Sequence, residues 1–209
     1  MKKFISILVI LLVLPGSAWG AKFRIKIENL TINQLLTAPL CAIHGKNLRL
    51  YTLGAAPSAG LAELAEDGPT ETLMSEIGGL ATRVRVGDFI AAGEEGTLSI
   101  GASNGRLLSC VAMLATTNDG FIGFRVKLPR EIGASRSFTA SAYDAGSERN
   151  NESCAFVPGA PCSAHFVRDT VGAEGVVAKH PGITGIGDLS VVTHGWNDSP
   201  VRVTIMRIR

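Results

Sequence analysis

Between Lys22 and Leu30 apolar and charged residues alternate, with Phe23, Ile25 and Ile27 on one face and Arg24, Lys26 and Glu28 on the other. Alternation with a period of two describes a strand buried on one side only. The same pattern returns at Thr82 to Val86, more weakly in TLSIG, and again in FIGFRVKLP and RSFTASAYDAG. The closing VRVTIMRIR sets Val201, Val203, Ile205 and Ile208 against Arg202, Thr204, Arg207 and Arg209, with Met206 out of phase. This last stretch is expected to close a sheet. Two runs are apolar without alternation: LCAIH around Cys41, and Leu107 to Ala115. The second reads as a central strand covered on both faces or at its edges. LRLYTLG predicts another short strand.

Helical periodicity is clear at one place. In LAELAEDG, Leu61, Leu64 and Ala65 recur at helical spacing, Ser58 is placed to cap the start, and Gly68 ends the helix. TETLMSEIGG predicts a second short helix or an irregular turn. Several short strands, separated by Gly, Asn and Asp turns, place the chain in the all-β class. The expected architecture is an antiparallel β-sandwich with one or two short helices inserted beside the strands.

The first twenty residues stand apart from this pattern. Lys2 and Lys3 precede an apolar run from Phe4 to Leu14, Pro15 and Gly16 break it, and Ala18-Trp19-Gly20 presents small residues at a cleavage position. The run is about half the roughly 20 residues that span a bilayer, so residues 1–20 read as a secretory signal peptide and not an anchor. Residues 21–209 are then one domain. The full chain has 20 Lys plus Arg and 18 Asp plus Glu. Removing Lys2 and Lys3 leaves 18 against 18, an overall balance with no footprint for nucleic acid or anionic lipid. Cys41, Cys110, Cys154 and Cys162 all lie in the exported part and are expected to be oxidised. Cys154–Cys162 brackets one loop, and Cys41–Cys110 joins two apolar runs. Paired Cys-x-x-Cys spacing, as a zinc site would favour, is missing.

Chemistry concentrates between Tyr143 and His165. Asp144, Ser147, Glu148, Asn150, Asn151 and Glu152 offer oxygen ligands of the kind hard cations accept. Glu148, Asn150, Asn151 and Glu152 also suit a solvated loop face. Asp119 in TNDGF and Asp144 in YDAGS precede glycine or alanine-glycine, where Asp serves tight turns equally well. His44, His165, His180 and His194 are scattered, and Trp196 is expected to pack against its loop near the last strand. The chain has no G-x-S-x-G elbow, no phosphate-cradling glycine loop and no H-E-x-x-H, and nothing in the sequence places a base beside a nucleophile.

LRLYTLGAAPSAGLAELAEDG, MLATTNDGFIG, AYDAGSE and VRVTIMRIR, in that order and at that spacing, resemble the spondin N-terminal domain family in its bacterial exported branch. The resemblance covers nearly all of residues 21–209. It implies an antiparallel β-sandwich similar to membrane-targeting calcium-binding domains, and in animal members a role in extracellular matrix and adhesion. It also implies one bound Ca2+, held by an acidic residue after the long apolar strand, by the Asp of the DAG motif and by a Glu from an earlier strand. Asp119 and Asp144 match the first two. At the third place the strand reads TLSIG, and Glu95, with Glu94 beside it, is the nearest acid and a weaker candidate ligand.

The expected function is therefore an exported, non-catalytic binding or adhesion module whose partner is an extracellular or envelope protein or glycan. The competing expectation is a hydrolase of an extracellular polymer that uses Asp119 and Asp144 as an acid–base pair.

Overall fold

The computed structural model describes residues 20–102 and 106–209. All but the last residue of the predicted leader thus lies outside the described residues. In chain order the first strands are β1 (Ala21–Asn29), β2 (Leu40–His44), β3 (Ala81–Val86), β4 (Glu95–Ala102) and β5 (Leu107–Met113). They are followed by β6 (Gly120–Lys127), β7 (Ser135–Ala140), β8 (Ala142–Asp144), β9 (Ala178–Lys179) and β10 (Val201–Arg207). Helices α1 (Ala59–Asp67) and α2 (Glu71–Ile77) lie between β2 and β3, and the single turn α3 (Val191–His194) precedes β10.

The strands form two antiparallel sheets, a four-stranded one in the order β4-β1-β10-β7 and a six-stranded one in the order β3-β2-β5-β6-β8-β9. Between the sheets, Phe23, Ile25 and Ile27 of β1 and Val201, Val203 and Ile205 of β10 meet Ile43, Leu108, Ile122 and Phe124. Each such side chain, once fully buried, contributes about 1.5–3 kcal/mol relative to exposure. The alternation seen in the sequence is the signature of this packing, because β1 gives one face to the core and the other to water. β5 has no such alternation, since it is central in its sheet and covered on both sides.

Its second covering is helical. Leu61, Leu64 and Ala65 of α1 and Leu73 and Ile77 of α2 join Leu40, Ala42, Val111 and Phe121 on the outer face of the six-stranded sheet. The predicted helix ends hold: the Ser58 hydroxyl accepts the Leu61 N–H at 3.2 Å, and Gly68 adopts the left-handed conformation at φ 90°. Both expected disulfides are present. Cys41 and Cys110 are directly opposite across β2 and β5, with Cα atoms 4.1 Å apart, and their bridge lies in the inter-sheet core. Cys154 and Cys162 close the loop between them, next to a small apolar cluster of Val157, Ile183 and Leu189.

Two expectations are corrected. LRLYTLG is not a strand: Leu48 and Leu50 bury themselves in the outer-face cluster while the backbone makes no ladder. RSFTASAYDAG is two strands in different sheets, β7 pairing with β10 and β8 with β6, with the crossover at Ser141. As expected, VRVTIMRIR closes a sheet, because β10 joins β1 to β7.

Candidate functional site

β5 ends at Met113 and the chain returns as β6 from Gly120, which makes Asp119 the last residue of the connecting turn. The Thr117 hydroxyl fastens the turn, donating to the Leu114 carbonyl at 2.7 Å and accepting the Gly120 N–H at 2.8 Å. Gln34 braces it from the other side. Its side-chain amide donates to the carbonyls of Thr116 at 3.0 Å and His194 at 2.8 Å and accepts the Thr116 N–H at 2.9 Å. Gly120 stands in register with Asp144, and the Asp119 carbonyl accepts the Ala145 N–H at 3.1 Å. The two acids are thereby brought together from positions far apart in the chain.

Asp119 is fully buried. Its Oδ2 accepts the N–H groups of Ser147 at 2.7 Å and Glu148 at 3.0 Å and the Ser147 hydroxyl at 3.2 Å. Its Oδ1 is buried with no hydrogen-bond partner. Asp144 Oδ1 accepts the Gly146 N–H at 2.5 Å, and its Oδ2 accepts the Asn150 side-chain amide. Gly146 has φ +70°, and a Cβ there would lie 2.3 Å from the Val176 carbonyl oxygen. Only glycine lets this loop turn back over the two carboxylates.

Carboxyl groups crowd together here. Burial, then the neighbouring Asp144 charge, pushes the Asp119 carboxyl up to about 7. Burial also raises Asp144, partly offset by the Gly146 N–H, and the Glu174 charge adds to the rise. Burial, followed by the charges of Glu66 and Asp119, pushes Glu148 up to about 8. Arg168 is the nearby cation, and its guanidinium pairs with Glu66 at 2.6 Å. Crowded carboxylates with a bare buried oxygen cost free energy, and a hard cation relieves that cost.

Several expected site residues stand elsewhere or behave differently. Glu95 pairs with Lys26 at 2.7 Å on the outer face of the four-stranded sheet, in register with Glu28, so it does not join Asp119 and Asp144. Glu148 and Glu152 are buried and are not a solvated loop face. Glu148 Oε1 accepts the Asp169 N–H at 3.1 Å, and the Glu152 carboxylate accepts the N–H groups of Thr184 at 2.6 Å and Gly185 at 2.7 Å. Asn118, Asn150, Glu152 and His180 border a small cavity of about 90 Å³ beside the acids. His180 packs against Trp196 with ring centroids 5.3 Å apart, and burial lowers its imidazole to about 4.

Among the described residues no three His, Cys, Asp or Glu side chains come together as a metal-binding group. A cation held here therefore rests on Asp119 and Asp144, with neutral oxygens completing the shell. The bare Asp119 Oδ1 fits such an ion.

A base does stand beside a nucleophile, contrary to the sequence expectation. His44 Nδ1 meets the Gly45 carbonyl at 2.6 Å and must carry the proton, so Nε2 accepts from the Ser109 hydroxyl at 2.8 Å. Both side chains are buried, with His44 at 0 % and Ser109 at 2 % exposure, which makes the pair a fastening inside the fold. The disulfide was the available signal. Pairing Cys41 with Cys110 fixes the β2–β5 register and puts Ser109 and His44 on one face of neighbouring strands.

No protein-family model matches the chain, and no curated protein matches it either.

Proposed function

We propose that the chain is an exported, non-catalytic binding module of the spondin N-terminal kind, in which one Ca2+ held by Asp119 and Asp144 orders the surrounding loops. The observation that carries this reading is the buried, unpartnered Asp119 Oδ1 beside a second buried carboxylate. The loop from Asp144 to Glu152 closes over both acids through Ser147 and Glu148, so a cation at this point would fix its shape. Two disulfides in the described residues are compatible with an exported protein, and no helix among them is long and apolar enough to cross a membrane. The bound partner is taken to be an extracellular or envelope protein or glycan.

The hydrolase reading is weaker on the same geometry. A glycosidase holds its carboxyl groups at least about 5 Å apart, with the sugar between them. Asp119 is closed to solvent and shares its surroundings directly with Asp144.

The test is calorimetric and thermal titration of the mature chain with calcium, beside Asp144→Asn and Asp119→Asn. Calcium is expected to raise the wild-type melting temperature and leave both variants unmoved, because an ion that binds only the folded state stabilises it by mass action. Equal responses in all three proteins, or none in any, overturn the assignment.

A further inference from the structure

The two ends of the six-stranded sheet carry different ionisable groups, buried carboxyls at one and cations at the other. At the end away from Asp119, His44, Leu107 and Lys127 stand side by side across β2, β5 and β6, with Arg125 opposite Ser109 two residues further in. The turn after β2 adds Lys46 and Arg49, and Arg106 leads into β5. Together these residues line an open cavity of about 370 Å³ on the same face of the sheet as the helices. Lys46, Arg49, Arg106, Arg125 and Lys127 supply five cationic side chains, and no acid lines the cavity among the described residues. None of the five takes part in an ion pair among the described residues.

Arg125 shows that this is more than a solvated basic surface. Its Nη2 donates to the Lys46 carbonyl at 2.9 Å, which draws the turn towards β6 and fixes the guanidinium. Its Nε is buried with no hydrogen-bond partner. The His44–Gly45 and His44–Ser109 contacts hold the base of the same turn. Burial, and secondarily the Arg125 charge, lowers the His44 imidazole, so the ring is a neutral prop and the charge comes from the five cations. Cations gathered in a concave site repel one another unless an anion compensates them, and guanidinium forks match tetrahedral and carboxylate oxyanions in particular. Leu107 gives the cavity an apolar wall, and the volume is at the small-ligand end of the usual range of roughly 300–1,000 Å³.

We propose that this cavity is a binding site for a sulfate or phosphate ester carried on a sugar-sized scaffold. The group sits between the Arg125 and Arg106 guanidinium groups, Lys46, Arg49 and Lys127 line the rim, and the carrier rests on Leu107. The site is independent of the calcium reading, since it lies at the opposite end of the sheet.

The experiment measures binding of a heparin-type sulfated disaccharide and of glucose 6-phosphate at low salt, with phosphatidylglycerol vesicles as a separate arm. The wild-type chain, Arg125→Gln and the rim variant Lys46→Gln/Arg49→Gln are compared, each first checked for an unchanged fold by circular dichroism. At least one soluble ester is expected to bind, to weaken as salt rises through screening, and to lose tenfold or more in affinity in both variants. Binding is expected to persist in chelator, which separates this site from the carboxylates. The proposal is overturned by any of three results: no binding of either ester below about 1 mM, the weak end of specific affinity; binding unchanged in both variants; or binding to vesicles alone.

Discussion

Asp119 and Asp144 are drawn together at the end of the β6–β8 ladder, where Gly120 stands in register with Asp144 and the Asp119 carbonyl accepts the Ala145 N–H at 3.1 Å. Two acids buried together make the fold sensitive to whatever neutralises them. Protons and cations compete for that role.

This competition gives a signed pH dependence. Asp119 and Glu148 are raised in the folded state to about 7 and about 8, so the native chain binds more protons than the unfolded one above about pH 4. The stability they contribute is fully present below about pH 4 and is lost progressively as pH rises, until it is gone above about 7 for Asp119 and about 8 for Glu148. His180, lowered to about 4, works in the opposite sense, and its contribution is lost as pH falls from about 6.5 towards 4. Between about pH 6.5 and 8 the carboxyls therefore act alone. Melting of the chelator-treated protein is expected to fall across that window, and saturating calcium is expected to flatten the slope. A flat profile in chelator would contradict the raised carboxyls.

The two disulfides should be unequal. Cys41–Cys110 closes a sequence separation of 69 and Cys154–Cys162 one of 8. Loop entropy favours the longer closure, and losing a native bridge of this kind costs about 2–5 kcal/mol. Cys41→Ala/Cys110→Ala also leaves a gap in the inter-sheet core, whereas Cys154→Ala/Cys162→Ala leaves one in a small satellite cluster. Denaturant unfolding of the two double variants should show the first to be the less stable.

Gly146→Ala and Gly133→Ala make a matched pair. Both glycines have positive φ, +70° and +81°, but only at Gly146 would a Cβ meet backbone, with Val176 at 2.3 Å. Gly133→Ala should cost about 1 kcal/mol, the ordinary penalty for a side chain at positive φ. Gly146→Ala should cost about 3 kcal/mol, because a clash of about 1–3 kcal/mol adds to it. It should also abolish the calcium response by moving the Ser147 and Glu148 N–H groups. Urea unfolding and calcium titration of both variants check this.

Gln34→Ala should unfasten the Asp119 turn. It removes three buried hydrogen bonds, to the Thr116 N–H, the Thr116 carbonyl and the His194 carbonyl. Leaving such groups without partners costs about 1–3 kcal/mol each. Hydrogen exchange is expected to quicken from Thr116 to Gly120 while β1 and β10 stay protected. Uniform loss of protection would mean that Gln34 supports the whole fold and not the turn.

Much of the architecture was legible in the residues. Alternation at Phe23, Ile25 and Ile27, and again from Val201 to Ile205, records one-sided burial, which a sandwich requires of its strands. Ser58 and Gly68 mark the ends of α1 through local hydrogen bonding and backbone freedom, so neighbouring sequence suffices to see them. The cysteine pairing followed from the placement of Cys41 and Cys110 in separate apolar runs.

What the sequence alone determined was therefore the periodicity of each element and the kind of environment each face demands. Tertiary structure decided which partner meets that demand. Alternation runs unbroken from Ser137 to Tyr143, yet β7 and β8 serve different sheets, because period-2 burial looks the same whichever sheet covers it. Glu148 and Glu152 carry no local sign of burial, since the N–H groups that receive them come from Asp169, Thr184 and Gly185. Equal numbers of basic and acidic residues after residue 20 hid a separation of the two kinds to opposite ends of one sheet. That separation arises only when β2, β5 and β6 align in register, and the fields of distant charges add by position in space and not by order in the chain.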